Sequence, residues 1–151
     1  MITVDFQNHQ DEVVIDAPLC DWIWETLPQV IREVRAVSLP SSVFLELVEI
    51  DIAFINQIAS DQAHRQFMNI PGATDVITFN HGELLICPMV AERQSAEYDE
   101  PLWRELMRYI VHGCLHLAGY DDQDEESSNI MHDQQEKIVF ALPPHDLANH
   151  Q

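Results

Sequence analysis

The stretch from Pro101 to Ala118, PLWRELMRYIVHGCLHLA, limits the possible folds more than any other part of this chain. Read as a helix, it carries Leu102, Leu106, Tyr109, Ile110, Gly113 and Leu117 on one side. Trp103, Met107, Val111, Cys114 and Ala118 widen the apolar surface well beyond one stripe. A helix apolar over most of its circumference must be enclosed by other elements. The fold therefore has to be built around it. His112 and His116 are carried inward with it, into surroundings where each imidazole needs hydrogen-bond partners.

The spacing of the two histidines points to a metal ion. Residues at i and i+4 share one helical face, so both rings reach a single ion. Gly119 is the residue type that closes a helix in the left-handed conformation, which would turn Asp121 and Asp122 back toward the rings. Two ring nitrogens and one carboxylate oxygen form a zinc ligand set that leaves a position for water. The spacing does not settle which of the two aspartates touches the ion. A lone HxxxH pair on an apolar helix is often a chance occurrence, and the glycine and acid at fixed distance give this one its weight. Cys114 faces away from the pair and reads as core packing. Gly113 falls where HExxH zinc proteases carry their glutamate base, so that base is missing. A helical glycine costs about 1 kcal/mol relative to alanine. It implies a close approach, by a ligand or by a tightly packed neighbour.

At 151 residues the chain fits one domain, expected over 1–141, with 142–151 as a flexible tail. No apolar run approaches the ~20 residues that span a bilayer, so no membrane association is expected. Met1 to Asp5 has neither a basic lead nor an apolar core, which argues against a signal peptide. Cys20, Cys87 and Cys114 form an odd set without framework spacing and suit a reducing, cytoplasmic setting. The 26 acidic residues against 7 Lys and Arg, net charge -19, argue against broad nucleic-acid binding. Any RNA contact would be local, using the metal and a few of Arg65, Arg93, Arg104 and Arg108.

Hydrophobic periodicity predicts an alternating order of elements. Ile2 to Phe6 reads as a strand and Pro18 to Arg35 as a helix. Ser42 to Ile50 reads as a second strand, and Asp51 as the start of a helix toward Phe67. Pro71-Gly72 marks a turn. Thr74 to Asn80 and Glu83 to Cys87 read as an antiparallel hairpin. Pro88 opens a short helix and Glu100-Pro101 the long one. Ser127 or Asp124 caps a last helix that ends at Pro143-Pro144.

The segment 112–121, HGCLHLAGYD, resembles the signature H-G-x-L-H-L-x-G-Y-D-H of the YbeY family of single-domain bacterial endoribonucleases. Residues 74–79, TDVITF, resemble that family's T-D-V-L-S-F strand, and 82–86, GELLI, its following G-D-I strand. The likeness runs roughly from Val4 to Phe140. It implies an α+β fold of zincin-like layout, a small mixed sheet packed against helices with a central metal-binding helix. It also implies one zinc ion (Zn2+) per chain held by His112, His116 and Asp122. The implied activity is cleavage of single-stranded RNA, with a role in 16S rRNA precursor maturation and ribosome quality control. Small ribosomal subunit proteins are the implied partners.

Two positions depart from the pattern. The third family histidine falls on Asp122, whose carboxylate is a competent zinc ligand. Asp121, the family's own aspartate, would orient a ligand by hydrogen bonding. The family's arginine after an aromatic falls on Met68, which follows Phe67. Arg65, about one helical turn earlier, is the expected catalytic replacement, balancing charge on the phosphate. Thr74 and Asp75 would organise the strand beside the cleft, and Glu83 to Ile86 would line it as an exposed edge. An alternative is a ribosome-assembly binding factor whose metal is structural. A zinc peptidase is a third reading, disfavoured by Gly113.

Overall fold

The computed structural model describes residues 2–145. Strand β1 (Thr3–Asn8) leads to helix α1 (Ala17–Val37), which Asp16 caps by accepting a hydrogen bond from the Leu19 amide at 3.0 Å. Leu19, Ile23, Leu27, Val30 and Val34 recur at helical spacing and are buried along one face of α1. Strand β2 (Glu49–Phe54) follows, then helix α2 (Gln57–Met68), strands β3 (Val76–Phe79) and β4 (Glu83–Ile86), and helix α3 (Pro88–Glu97). Helices α4 (Leu102–Leu117) and α5 (Glu125–Ala141) complete the described chain. This is a small mixed α+β domain with a four-stranded sheet and five α-helices.

The second strand and second helix lie further along than the sequence pattern suggests. Val43–Glu46 forms a single 3-10 turn, and the strand begins at Glu49. The alternation that matters is Ile50, Ile52 and Phe54, all buried, against Glu49 and Asp51, both exposed. Asp51 is thus a solvent-facing strand residue. The helix starts after Asn56, whose side chain accepts from the Ala59 amide at 2.8 Å. The last helix is capped by Asp124, which accepts from the Ser127 amide at 2.7 Å.

The sheet order is β1-β2-β4-β3, with β1, β2 and β4 parallel and β3 antiparallel to β4. The hairpin of β3 and β4 is as expected, but the edge assignment needs correcting. Strand β4 lies inside the sheet, and β3 is the open edge on that side. Pairing with β2 on one side and β3 on the other buries β4, and its Leu84 and Ile86 have no exposure.

Helix α4 packs against α1, α3, α5, β3 and β4. Trp22 of α1 meets Trp103 of α4 edge to face, with ring centroids 5.1 Å apart. Gly113 lies where α4 crosses the sheet. A Cβ there would stand 2.7 Å from the Leu84 side chain and 3.1 Å from Thr78 Oγ1. Tight packing accounts for this glycine. Beyond α5, Leu142 and His145 are buried, and Trp22 Nε1 donates to the Pro143 carbonyl at 3.0 Å. The rest of the expected tail, 146–151, lies outside the described residues. Among the described residues no helix is long and apolar enough to cross a membrane.

Candidate metal centre

Helix α4 ends in a motif that also builds the site. Gly119 has φ 102°, the left-handed conformation that carries the chain off the helix. The Tyr120 amide donates back to the Leu115 carbonyl at 3.0 Å, and the Gly119 amide to the His116 carbonyl at 3.1 Å. The Tyr120 hydroxyl donates to the Val37 carbonyl at 2.7 Å, which pins the turn to the end of α1. Asp122 is thereby returned over the last turn of α4.

His112 Nε2 and His116 Nε2 stand 3.1 Å apart, and Asp122 Oδ2 lies 3.7 Å from the first and 3.8 Å from the second. Ligand atoms about 2.1 Å from a tetrahedral ion are about 3.4 Å from one another, so the three atoms nearly trace one face of such a site. Among the described residues this is the one group of histidine, cysteine and carboxylate side chains whose atoms converge in this way.

The outer nitrogens show which way the lone pairs point. His116 Nδ1 lies 3.2 Å from the Tyr120 carbonyl, which only accepts, so Nδ1 carries the proton. His112 Nδ1 lies 2.9 Å from Gln135 Oε1. The Gln135 amide is oriented in turn by Glu136, whose carboxylate accepts from Gln135 Nε2 at 3.2 Å. Its oxygen is left to accept from His112 Nδ1. Both rings turn Nε2 toward each other and toward the Asp122 carboxylate. With Nδ1 of each ring bonded outward, Nε2 is the nitrogen left to bind a cation placed among the three atoms. The residues fit a zinc-type ion.

Glu136 is itself gripped by Arg108, at 3.1 Å from Nε and 2.9 Å from Nη2, and Arg108 also meets Glu100 at 3.1 Å and Glu105 at 3.2 Å. A line of contacts thus runs from a carboxylate-bound guanidinium to the His112 ring. Burial, with His112 adding to it, holds His116 below the ordinary imidazole range against the opposing pull of Asp122. Cys114 has no exposure and burial pushes its thiol up to about 12, so it stays protonated and outside the ligand set.

Two hollows, of about 230 and 610 Å³, meet at the cluster, and Asp75, His112 and Asp122 line both. Asp75 Oδ1 accepts from the Val76 amide at 2.8 Å and from the Thr74 hydroxyl at 3.2 Å. Thr74 is tied at its amide to Ser60 Oγ at 2.9 Å. Both residues thus stand beside the cleft. Strand β3 turns its open edge to the larger hollow. The Asp75 and Phe79 carbonyls accept from the Cys87 and Gly82 amides on the β4 side, and the alternation of an antiparallel ladder then leaves the main-chain groups of Val76 and Thr78 facing outward.

Other expected residues lie elsewhere. Asp121 is exposed and accepts from the Gln123 amide at 3.3 Å, and Asp122 is the aspartate that converges. Arg65 is held by Asp61 at 2.9 Å, with its side chain 62% exposed. It does not line the cleft, because α2 presents His64 and Met68 to that side instead. Arg104 is bonded to Glu100 at 2.7 Å and stacks near Trp103 and Phe140, while Arg108 does line the smaller hollow but is held there by Glu100, Glu105 and Glu136. His64 and Gln135 were not anticipated. His64 donates or accepts at Nδ1 with the Gly72 carbonyl at 2.9 Å, and a carbonyl partner makes it the donor. The helical pattern of Gln57–Met68 places residue 64 one turn from Met68, a signal that could have found it.

Comparison with known proteins identifies the family. The family model described as Endoribonuclease YbeY matches residues 6–143. The Endoribonuclease YbeY of Chlamydia trachomatis serovar L2 is 34% identical over 120 residues, 68% of this chain and 74% of that protein. That of Pelotomaculum thermopropionicum is 28% identical over 150 residues, 89% of this chain and 93% of that protein. That of Thermotoga petrophila is 32% identical over 99 residues, and the match spans 61% of this chain and 66% of that protein. A solution structure of a Thermotoga maritima protein shares the fold, with TM-score 0.58 at 23% identity, covering 93% of this chain and 89% of that one. With the matched region running from β1 past α5 and including the converging His112, His116 and Asp122, the chain belongs to the YbeY family.

Proposed function

We propose that this protein is a zinc-dependent endoribonuclease that cuts single-stranded RNA, in the cytoplasm, during 16S rRNA maturation and ribosome quality control. The observation that carries the reading is the convergence of two imidazole nitrogens and the Asp122 carboxylate in an open cleft. Its relatives' name, Endoribonuclease YbeY, supplies the reaction class. His112, His116 and Asp122 would hold one zinc ion, which when bound supplies Lewis-acid chemistry to a phosphodiester.

The remaining roles fall to the chain's own groups. The outward N–H group of Thr78 on β3 would donate to the phosphate or sugar of a strand laid along that edge. An extended single strand suits an open sheet edge, whereas a duplex would be too broad for it. His64 Nε2, free of a protein partner among the described hydrogen bonds, would accept from a ribose 2′-hydroxyl on the α2 side. Asp75 has one oxygen committed to Val76 and Thr74, and its other oxygen would accept the proton of an attacking water. The strongly acidic surface would repel bulk RNA, so recognition would be confined to this cleft.

A specific observation also favours a second reading. No arginine lines the larger hollow, where Met68 stands instead. A ribosome-assembly binding factor with a structural metal would look the same, docking small-subunit proteins through its acidic surface. A peptidase is disfavoured, since residue 113 faces β4 and has no room for a glutamate. The deciding experiment incubates the purified, zinc-loaded protein with a single-stranded 16S precursor fragment and with its duplex form. Cleavage of the single strand alone, stopped by chelator and absent in His112→Ala, supports the nuclease. Co-sedimentation with small subunits without cleavage supports the binding factor.

A further inference from the structure

At the opposite edge of the sheet from the metal cleft lies a groove between β1 and α1. Its floor and walls are apolar, with Ile2 and Val4 from the strand and Trp24, Leu27 and Ile31 from the helix. Trp24 is 43% exposed there, an unusual setting for so large an apolar ring. The groove holds about 610 Å³, within the range of built ligand sites.

Three further observations describe what fits it. The first is main-chain hydrogen bonding. Strand β1 is the outer edge of the sheet, and the Thr3 and His9 amides turn inward to Val48 and Phe54 of the β2 segment. The alternation of a parallel ladder leaves the N–H and C=O groups of Val4, Phe6 and Asn8 pointing outward, unpaired. The second is Pro28, inside α1 on the groove wall. It has no N–H for the Trp24 carbonyl, so a main-chain acceptor there lacks its i+4 donor.

The third is charge. The charged residues lining the groove are Arg32 and Arg35, and no carboxylate lines it. The chain has 26 acidic residues for 7 Lys and Arg. Arg65, Arg104 and Arg108 are all in ion pairs, while Arg32 and Arg35 make none among the described residues. Two unpaired guanidinium groups on the rim of an apolar groove, in so acidic a molecule, form a local inversion of charge.

We propose that this groove docks an extended protein segment whose groove-facing residues, every second one along the strand, are apolar and end in an aspartate or glutamate. The segment adds to the open edge of β1 as a further strand. Its apolar side chains cover Val4, Trp24 and Ile31, and its carboxylates meet Arg32 and Arg35. Strand addition gives affinity through the main chain, and the side chains on one face give specificity. The proposal is independent of what happens at the metal.

The test uses a phage-displayed library of random twelve-residue peptides, selected on the full chain and counted against the double variant Arg32→Glu/Arg35→Glu. The enriched peptides should carry apolar residues at i and i+2 with an acidic residue in the same every-second-residue phase. A synthetic peptide of the enriched sequence should shift the amide resonances of Val4, Phe6 and Asn8. Its affinity should fall roughly tenfold in the milder variant Arg32→Gln/Arg35→Gln and further in the glutamate pair. Circular dichroism and thermal melts confirm that both variants fold. Failure to enrich any sequence, enrichment of basic or uncharged peptides, or binding indifferent to both variants overturns the proposal. So does a concentration-dependent dimer that the variants dissolve, which would assign the groove to a second copy.

Discussion

Replacing Gln135 by leucine removes the acceptor for His112 Nδ1–H while keeping a side chain of similar bulk in a buried position. Two consequences follow. The ring loses the partner that fixes its proton on Nδ1, so it can place the proton on Nε2 and turn a donor toward the metal site. Leaving the Nδ1–H without a partner costs about 1–3 kcal/mol in the metal-free protein. Loss of a hydrogen bond behind a metal-bound histidine weakens metal binding by about 10–100-fold. Gln135→Leu should therefore bind zinc in that range more weakly, measured by competition with a chromophoric chelator. The nitrogen resonances of His112 should show a mixture of tautomers in place of the Nδ1–H form. Gln135→Glu separates the electronic effect from the steric one. Its carboxylate accepts from Nδ1 more strongly and should hold zinc at least as well as glutamine. It also meets Glu136, 3.2 Å from the present amide, so the metal-free variant should melt lower. If Gln135→Leu binds zinc within twofold of the unmodified protein and keeps a single His112 tautomer, the relay from Glu136 does not govern the site.

Gly113→Ala pits a helix-propensity gain of about 1 kcal/mol against a Cβ placed 2.7 Å from Leu84, which is fully buried. Overpacking of about 1–3 kcal/mol should win, and urea denaturation should show a net loss of about 1 kcal/mol. Arg65→Ala should leave RNA cleavage within about twofold, since the side chain is exposed and bound to Asp61 outside the cleft. A large loss of kcat/KM would return Arg65 to the reaction. His116 is held neutral in the folded chain, while in the unfolded chain it protonates near pH 6.5. Stability of the metal-free protein should be full above that pH and fall as the pH drops through the folded value, by at most about 1.4 kcal/mol per pH unit. His116→Gln should flatten this part of the profile, and thermal melts at pH 5 to 8 without metal measure it.

The convergence of His112, His116 and Asp122 was legible because helix spacing and a helix-closing glycine are local rules. His112, His116, Gly119 and Asp122 all lie within one turn-and-cap segment, so chain order fixes their geometry. The hairpin of β3 and β4 was readable for the same reason. What escaped depends on elements distant in sequence. Gln135 reaches His112 from α5, and its role comes from α4 packing against α5. The edge position of β3 follows from parallel pairing of β4 with β2, which no local pattern encodes. The Ser42 to Ile50 misreading has a different cause. Val43, Leu45 and Leu47 alternate as a strand would, but they belong to a 3-10 turn and its exit, so pattern alone could not separate the two. Arg65 was expected in the cleft from its distance in sequence, whereas the phase of α2 gives that side to His64 and Met68.

The most direct measurement is a crystal structure of the protein grown with zinc, with anomalous scattering collected at the zinc edge. A single peak should lie about 2.0–2.2 Å from His112 Nε2, His116 Nε2 and an Asp122 oxygen, facing the hollow that Asp75 and Thr78 line. A peak elsewhere, or no peak at the cluster with His112 and His116 bonded to each other, would contradict it.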